Sequence, residues 1–103
     1  LEVIYDAVAL GPNAPLRDPD YVTVAPSGDI YVAVDADDLQ LVLLADRNGA
    51  RVAAPFLQLF GHGGSEIAGP AFSPDGSRLY FSSQRGRDGK NGMTFEVSGP
   101  FRQ

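Results

Sequence analysis

A chain of 103 residues allows one compact domain, and its 44% hydrophobic and 20% charged residues are typical of a globular protein. The formal net charge of −5 argues against a nucleic-acid partner, because the one basic cluster (Arg85, Arg87 and Lys90) is small. The absence of cysteine excludes disulfides and thiolate metal sites, and no apolar run reaches the roughly 18 residues of a membrane span.

Short strand-like runs bounded by turn residues follow one another along the chain. Residues 1–10 are rich in apolar and β-branched side chains and stop at Gly-Pro-Asn-Ala-Pro, so we expect a strand there. Three further strands are predicted at 21–25, 30–34 and 39–45, the first two joined by a Pro-Ser-Gly-Asp turn. Asn48-Gly49 then predicts a hairpin into a fourth strand over 51–59, in which Pro55 indicates an edge position.

The same pattern then begins again, since Pro26 and Pro74, and likewise Gly28 and Gly76, are 48 residues apart. Strands are predicted at 70–73, 79–83 and 93–97, with no fourth strand before the sequence ends. A period of 40 to 50 residues with several strands is typical of propeller blades.

The sequence therefore predicts an all-β partial propeller of two four-stranded β-propeller blades. In this division, residues 1–15 give a strand that completes a neighbouring blade, 16–60 the first blade, and 61–103 a second blade lacking its outer strand. The alternative is a small all-β sandwich with a coincidental repeat.

Carboxylates near the predicted strand ends are the first candidate site. Glu66 lies between a glycine-rich loop and a strand, where it suits a hard cation such as calcium, which takes oxygen ligands from several loops. Asp20, just before the first strand, and Asp35, just after the second, form a weaker acidic set. The alternative is that Glu66 caps a turn or pairs with an arginine.

The remaining polar residues give weaker signals. His62 is the only histidine and cannot build a zinc site alone, so we interpret it as structural or exposed. Ser65, Ser82 and Ser83 lack the GxSxG context of a nucleophile elbow. Arg85 is a candidate ligand for an anionic substrate, although arginines in glycine-rich turns usually contact only solvent.

Two longer strings, SEIAGPAFSPDGSRLYFSSQRG and DPDYVTVAPSGDIYVAVD, resemble the C-terminal blades of PhoX-type alkaline phosphatases and their bacterial relatives. The resemblance covers residues 18 to about 101. It implies a six-bladed propeller, usually exported to the periplasm or outside the cell, that hydrolyses phosphate esters with iron and calcium. By this resemblance Glu66 is the best candidate metal ligand, Asp20 matches the Asp of a Pro-Asp pair, and Val34 replaces a carboxylate beside Asp35.

Three functions follow as hypotheses: part of the metal rim of a metal-dependent phosphoesterase, a non-enzymatic propeller interaction module, or a self-assembling fragment. The isolated chain is expected to be inactive, because a hydrolytic cluster needs several converging carboxylates. Two blades per chain further predict a homotrimer, with residues 1–10 of one chain beside 93–97 of the next. A tetramer with eight blades is the alternative.

Overall fold

The computed structural model describes residues 1–12, 18–34 and 39–101. Within these ranges the regular structure is almost entirely β, with a single helical turn. In chain order the elements are α1 (Ala7–Leu10), β1 (Pro19–Val24), β2 (Ile30–Val34), β3 (Leu39–Arg47), β4 (Ala50–Leu59), β5 (Ile67–Phe72), β6 (Arg78–Ser83) and β7 (Met93–Ser98).

These strands form two antiparallel meanders. The first sheet has four strands in the order β1-β2-β3-β4, and the second sheet has three in the order β5-β6-β7. The prediction of an all-β chain with a shorter second unit is therefore confirmed. A closed propeller and its blade number stay predictions.

Turn chemistry explains the meanders. Asn48 and Gly49 have φ of 52° and 81°, the left-handed pair that a tight two-residue hairpin requires between β3 and β4. Pro55 lies on the edge strand β4, where a missing N–H is tolerated. The pairing shifts there, so that Pro55 opposes Val42 while Leu57 opposes Leu41, and Phe56 is the extra residue of a bulge.

The predicted repeat has a direct structural counterpart. Pro19 and Ile67, which begin β1 and β5, are 48 residues apart, as are their last residues, Val24 and Phe72. The turns that follow also touch, because a Cβ on Gly76 would lie 2.8 Å from the Pro26 Cγ. The repeat is therefore a physical stack of equivalent turns.

The main core lies between the two sheets. The first sheet contributes Tyr31, Ala33, Leu39 and Leu41, and the second contributes Ile67, Leu79 and Phe81, all at most 2% exposed. Tyr31 packs edge-on against Phe56 and Phe72 at ring distances of 5.0 and 5.1 Å. Leu79 and Phe81 are buried because the second sheet packs on the first.

The two sheets are stacked with their equivalent faces pointing in the same direction. Tyr31 pairs with Thr23 and Tyr80 with Ala71, so the two tyrosines occupy equivalent positions. Tyr31 faces the second sheet, whereas Tyr80 lies on the outer face of the second sheet, hydrogen-bonded to Glu96. The same-sense stacking means that the outer face of the first sheet is equivalent to the face by which the second sheet packs on the first.

Residues 1–10 differ from the predicted strand. Residues 1–6 have no regular secondary structure, and Ala7–Leu10 forms one helical turn. The Asp6 Oδ1 accepts a hydrogen bond from the Ala9 N–H at 3.3 Å, which is typical of an N-cap. Tyr5 packs on the first sheet, so this segment lies across a sheet face here and does not extend a sheet.

Candidate functional site

Two loops meet at one end of the second sheet. Residues 60–66 connect β4 to β5, and residues 84–92 connect β6 to β7. The Gln84 N–H donates to the Glu66 carbonyl at 2.9 Å, which ties the two loops together where they leave the sheet. Two of the predicted site residues, Glu66 and Arg85, are thereby brought close together, with His62 and Ser65 beside them.

A buried polar network holds this junction. The Ser83 Oγ lies 2.8 Å from the His62 Nδ1 and 2.8 Å from the Ser65 Oγ, and Ser83 has no exposed surface. The Arg85 N–H donates to the Ser65 Oγ at 2.8 Å. The hydroxyls can therefore donate in one direction, from Ser65 to Ser83 and from Ser83 to His62, so every member is satisfied.

The burial of this network limits the chemistry that Ser83 and His62 can perform. A serine without exposed surface cannot reach a substrate, so the His–Ser contact is not a catalytic dyad. The His62 ring also lies edge-on to Phe95, with ring centroids 6.1 Å apart. Of the two alternatives for His62, structural or exposed, the second does not hold, because His62 is buried and its hydrogen bond ties the glycine-rich loop to β6.

Sequence reasoning missed the network as a unit. Ser83 closes β6 opposite Ile67, and the equivalent residue in the first sheet is Val34, opposite Pro19. A serine where the repeat places a valine was the available signal for a buried hydroxyl with a specific partner.

The Arg85 side chain contacts three neighbouring residues. Its Nε donates to the Gly64 carbonyl at 2.5 Å, and its Nη1 donates to the Gln84 Oε1 at 3.2 Å. The same Nη1 lies 3.9 Å from the Glu66 carboxylate, with 45% of the Arg85 and 22% of the Glu66 side chain exposed. The alternative in which Glu66 pairs with an arginine therefore describes the observed contact, and a cation at Glu66 would compete with Arg85.

The other predicted metal ligands are Asp20 and Asp35. Asp20 is exposed and lies at the bulge where Pro19 opposes Val34 and Tyr21 opposes Ala33. Asp35 falls outside the described residues. Among the residues that are described, no three acidic or histidine side chains form a group able to hold a metal ion. The calcium site stays a prediction.

Loop 84–92 is ordered by its own aspartate. The backbone N–H groups of Asn91 and Lys90 each donate to the Asp88 Oδ1 at 2.8 Å. These bonds, with the side-chain amide of Asn91, lower the pKa of Asp88 from its ordinary value. The basic residues Arg87 and Lys90 therefore lie in a turn held by hydrogen bonds to Asp88.

A second candidate surface is the outer face of the first sheet. We name it the valine face and define it by Val22, Val24, Ile30, Val32, Val34, Val42 and Leu44. Cross-strand pairing places Val22 beside Val32 and Val24 beside Ile30, so these side chains share one face. Val22 and Val24 remain 61% and 58% exposed.

Residues 1–6 lie over only part of the valine face. Ile4 and Tyr5 line a cavity of about 270 Å³ together with Val22, Val32 and Leu44. This cavity opens to solvent, so residues 1–6 leave a groove along the valine face. Val32, Val34, Val42 and Leu44 are at most 6% exposed, so the open part of the valine face is formed by Val22 and Val24.

The outer face of the second sheet has the opposite character. The Tyr80 hydroxyl donates to Glu96 at 2.8 Å, Ser82 bonds Thr94 at 3.0 Å, and Arg78 lies 3.5 Å from Glu96. The hydrogen bond to Glu96 raises the pKa of Tyr80. One side of the two-sheet stack is therefore apolar and the other is polar.

No family model, curated protein or solved structure compared with the chain matches it. In the described ranges, no helix has the length and hydrophobicity needed to cross a bilayer. The fold is that of an all-β protein of two packed antiparallel sheets, and the resemblance to PhoX-type phosphatases stays a prediction from the sequence.

Proposed function

We propose that this chain is a β-propeller-type interaction segment whose valine face receives a further β-sheet of the same kind. The observation that carries the proposal is the equivalence of two faces. Val24 pairs with Ile30 on the valine face, as Phe72 pairs with Leu79 on the face that packs against the first sheet. The second of these faces is already covered by a sheet.

The chemistry of the valine face supports the same function. Exposed apolar surface gains free energy when it is removed from water, at about 25 cal/mol per Å². Contiguous apolar patches above a few hundred Å² commonly mark interaction sites. In the isolated chain, the available partner is the valine face of a second copy.

The polar outer face of the second sheet affects whether three copies could close into the predicted ring. A ring of three copies would place Tyr80, Arg78 and Glu96 of one copy against the valine face of the next. Burying such an ion pair against valines is costly, because desolvation of the charges is incompletely repaid. This face therefore weighs against ring closure by identical copies and favours an apolar partner sheet.

The proposal is tested with a matched pair of double substitutions. Val22→Lys with Val24→Lys charges the valine face, and Ser82→Lys with Thr94→Lys charges the polar outer face equally. Sedimentation velocity at micromolar concentration should show weaker association only for the first pair, with circular dichroism confirming that both variants are folded. Equal association of the two double variants would contradict the proposal.

The phosphoesterase metal rim is the second candidate function. It is supported by the motif resemblance and by one observation: the Glu66 carboxylate, 22% exposed, is held beside the half-exposed Arg85 at the loop junction. In an exported phosphoesterase, Glu66 would contribute one oxygen ligand to calcium and Arg85 would contact the anionic ester. Two or three carboxylates are too few for hydrolysis by the chain alone.

Calorimetric titration with calcium tests this second candidate. The heat of binding should disappear in Glu66→Gln and persist in Glu96→Gln, whose carboxylate lies on the outer face of the second sheet. No variant should hydrolyse a generic phosphate ester above background. Equal heats for both variants would contradict a rim role for Glu66.

A further inference from the structure

The second sheet ends at an open strand edge. β7 pairs with β6 along six residue pairs, and within the described residues no strand pairs with its other side. In the first sheet, β3 occupies the equivalent place and is covered by β4 over nine residue pairs. The outward backbone N–H and C=O groups of β7 are therefore a template for one additional strand.

Residues 1–6 have the composition of a strand without pairing as one. Their sequence, LEVIYD, contains Val, Ile and Tyr, which are enriched in strands. Val3 is 74% exposed and Ile4 is 41% exposed. The segment thus holds apolar side chains in water beside a sheet that already has four strands.

We propose that residues 1–6 of one copy pair with β7 of a second copy and supply the fourth strand of its second sheet. The proposal goes beyond the function above, because it uses the edge of the second sheet and not the valine face. Backbone pairing provides the affinity, as in other cases of strand addition to a sheet edge. The partner is a second copy of this chain.

The alternation of side chains fixes how this strand would sit. Phe95 and Val97 are half-buried on the core side of β7, whereas Thr94 and Glu96 lie on the polar side. Successive side chains of a strand point to opposite faces. One register places Leu1, Val3 and Tyr5 beside the core row, and Glu2, Ile4 and Asp6 on the polar side.

In this register, two neighbouring substitutions that add the same charge should have different effects on association. Val3→Asp places a carboxylate in the core row of the added strand, whereas Ile4→Asp places it on the polar side. Light scattering over a concentration series should show association at least tenfold weaker for Val3→Asp, and changed less than threefold for Ile4→Asp. If residues 1–6 instead act by covering the valine face, Ile4→Asp has the larger effect, since Ile4 lines that cavity.

Hydrogen exchange supplies an independent readout on the unmodified chain. Alternate backbone amides within Met93–Ser98 should exchange at least tenfold more slowly in concentrated than in dilute samples. A fluorescent peptide of residues 1–6 should also bind the 103-residue chain carrying Val3→Asp, while the same peptide carrying Val3→Asp should not. An unchanged exchange rate in Met93–Ser98, or an Ile4→Asp effect equal to that of Val3→Asp, would overturn the proposal.

Discussion

Replacing Ser83 with alanine removes one hydroxyl that bonds two buried partners. The Ser83 Oγ lies 2.8 Å from both His62 Nδ1 and Ser65 Oγ, and Ser83 has no exposed surface. Each lost hydrogen bond costs about 1 kcal/mol, and a buried group left unpaired costs about 1–3 kcal/mol. We expect Ser83→Ala to lower the free energy of unfolding by about 2–3 kcal/mol, since water has little access to replace the bonds.

Urea unfolding followed by circular dichroism measures this loss. Ser82→Ala is the matched control, because its partner Thr94 lies on the exposed face and the change should stay within about 0.5 kcal/mol. In a thermal scan, the 2–3 kcal/mol would lower Tm by roughly 8–24 °C for a domain of this size. The double variant His62→Phe with Ser83→Ala should cost about 1 kcal/mol less than the sum of the single variants. A Ser83→Ala protein as stable as Ser82→Ala would refute the network.

Two further predictions concern the turn between β5 and β6. The Ser77 N–H, the Ser77 hydroxyl and the Ser73 hydroxyl bond Asp75 and lower its pKa from 3.8 to about 2. The stabilisation is therefore complete above the ordinary pKa and is lost as pH falls through about 2. Asp75→Asn should lower Tm at pH 7 but not below pH 2, and an equal deficit at both pH values would contradict this. Gly76→Ala should destabilise by about 1–3 kcal/mol, because its φ of 74° and the Pro26 ring both oppose a Cβ. Gly89→Ala, with φ of 76° and no neighbour within 4 Å, is the strain-only control, and an equal loss would exclude the Pro26 contact.

The strands could be predicted from the sequence because local chemistry determines them. β2 has its predicted bounds at Ile30–Val34, and the Asn48-Gly49 hairpin has both residues at positive φ. The repeated Pro-x-Gly turns identified the two units, since proline and glycine fix backbone angles irrespective of distant contacts. The three predicted strands of the second unit are likewise the three strands described in the second sheet.

The features that the sequence did not predict depend on tertiary packing. The composition of residues 1–10 favours a strand, but in the fold this segment pairs with neither edge of the first sheet. Tyr5 instead packs on the valine face. Strand propensity is weak against such context. The His62–Ser65–Ser83 network joins residues of two loops and a strand, so no local pattern predicts it.

The predicted carboxylate site illustrates a second limit. Residue types located Glu66 near a loop junction, but only the fold shows Arg85 3.9 Å from its carboxylate. The spacing between Glu66 and Asp20 reflects the repeat and carries no information about a shared cation. Ligand geometry depends on which loops meet, and that is a property of sheet packing.

The mass of the unmodified chain in solution tests the central claim most directly. If the valine face receives another sheet, light scattering at micromolar concentration should give a mass that rises with concentration above 10.9 kDa. Replacing Val22 and Val24 with lysine should lower this mass, and any association that remains should be that of residues 1–6 with β7. A monodisperse 10.9 kDa species over the whole concentration range would contradict the account.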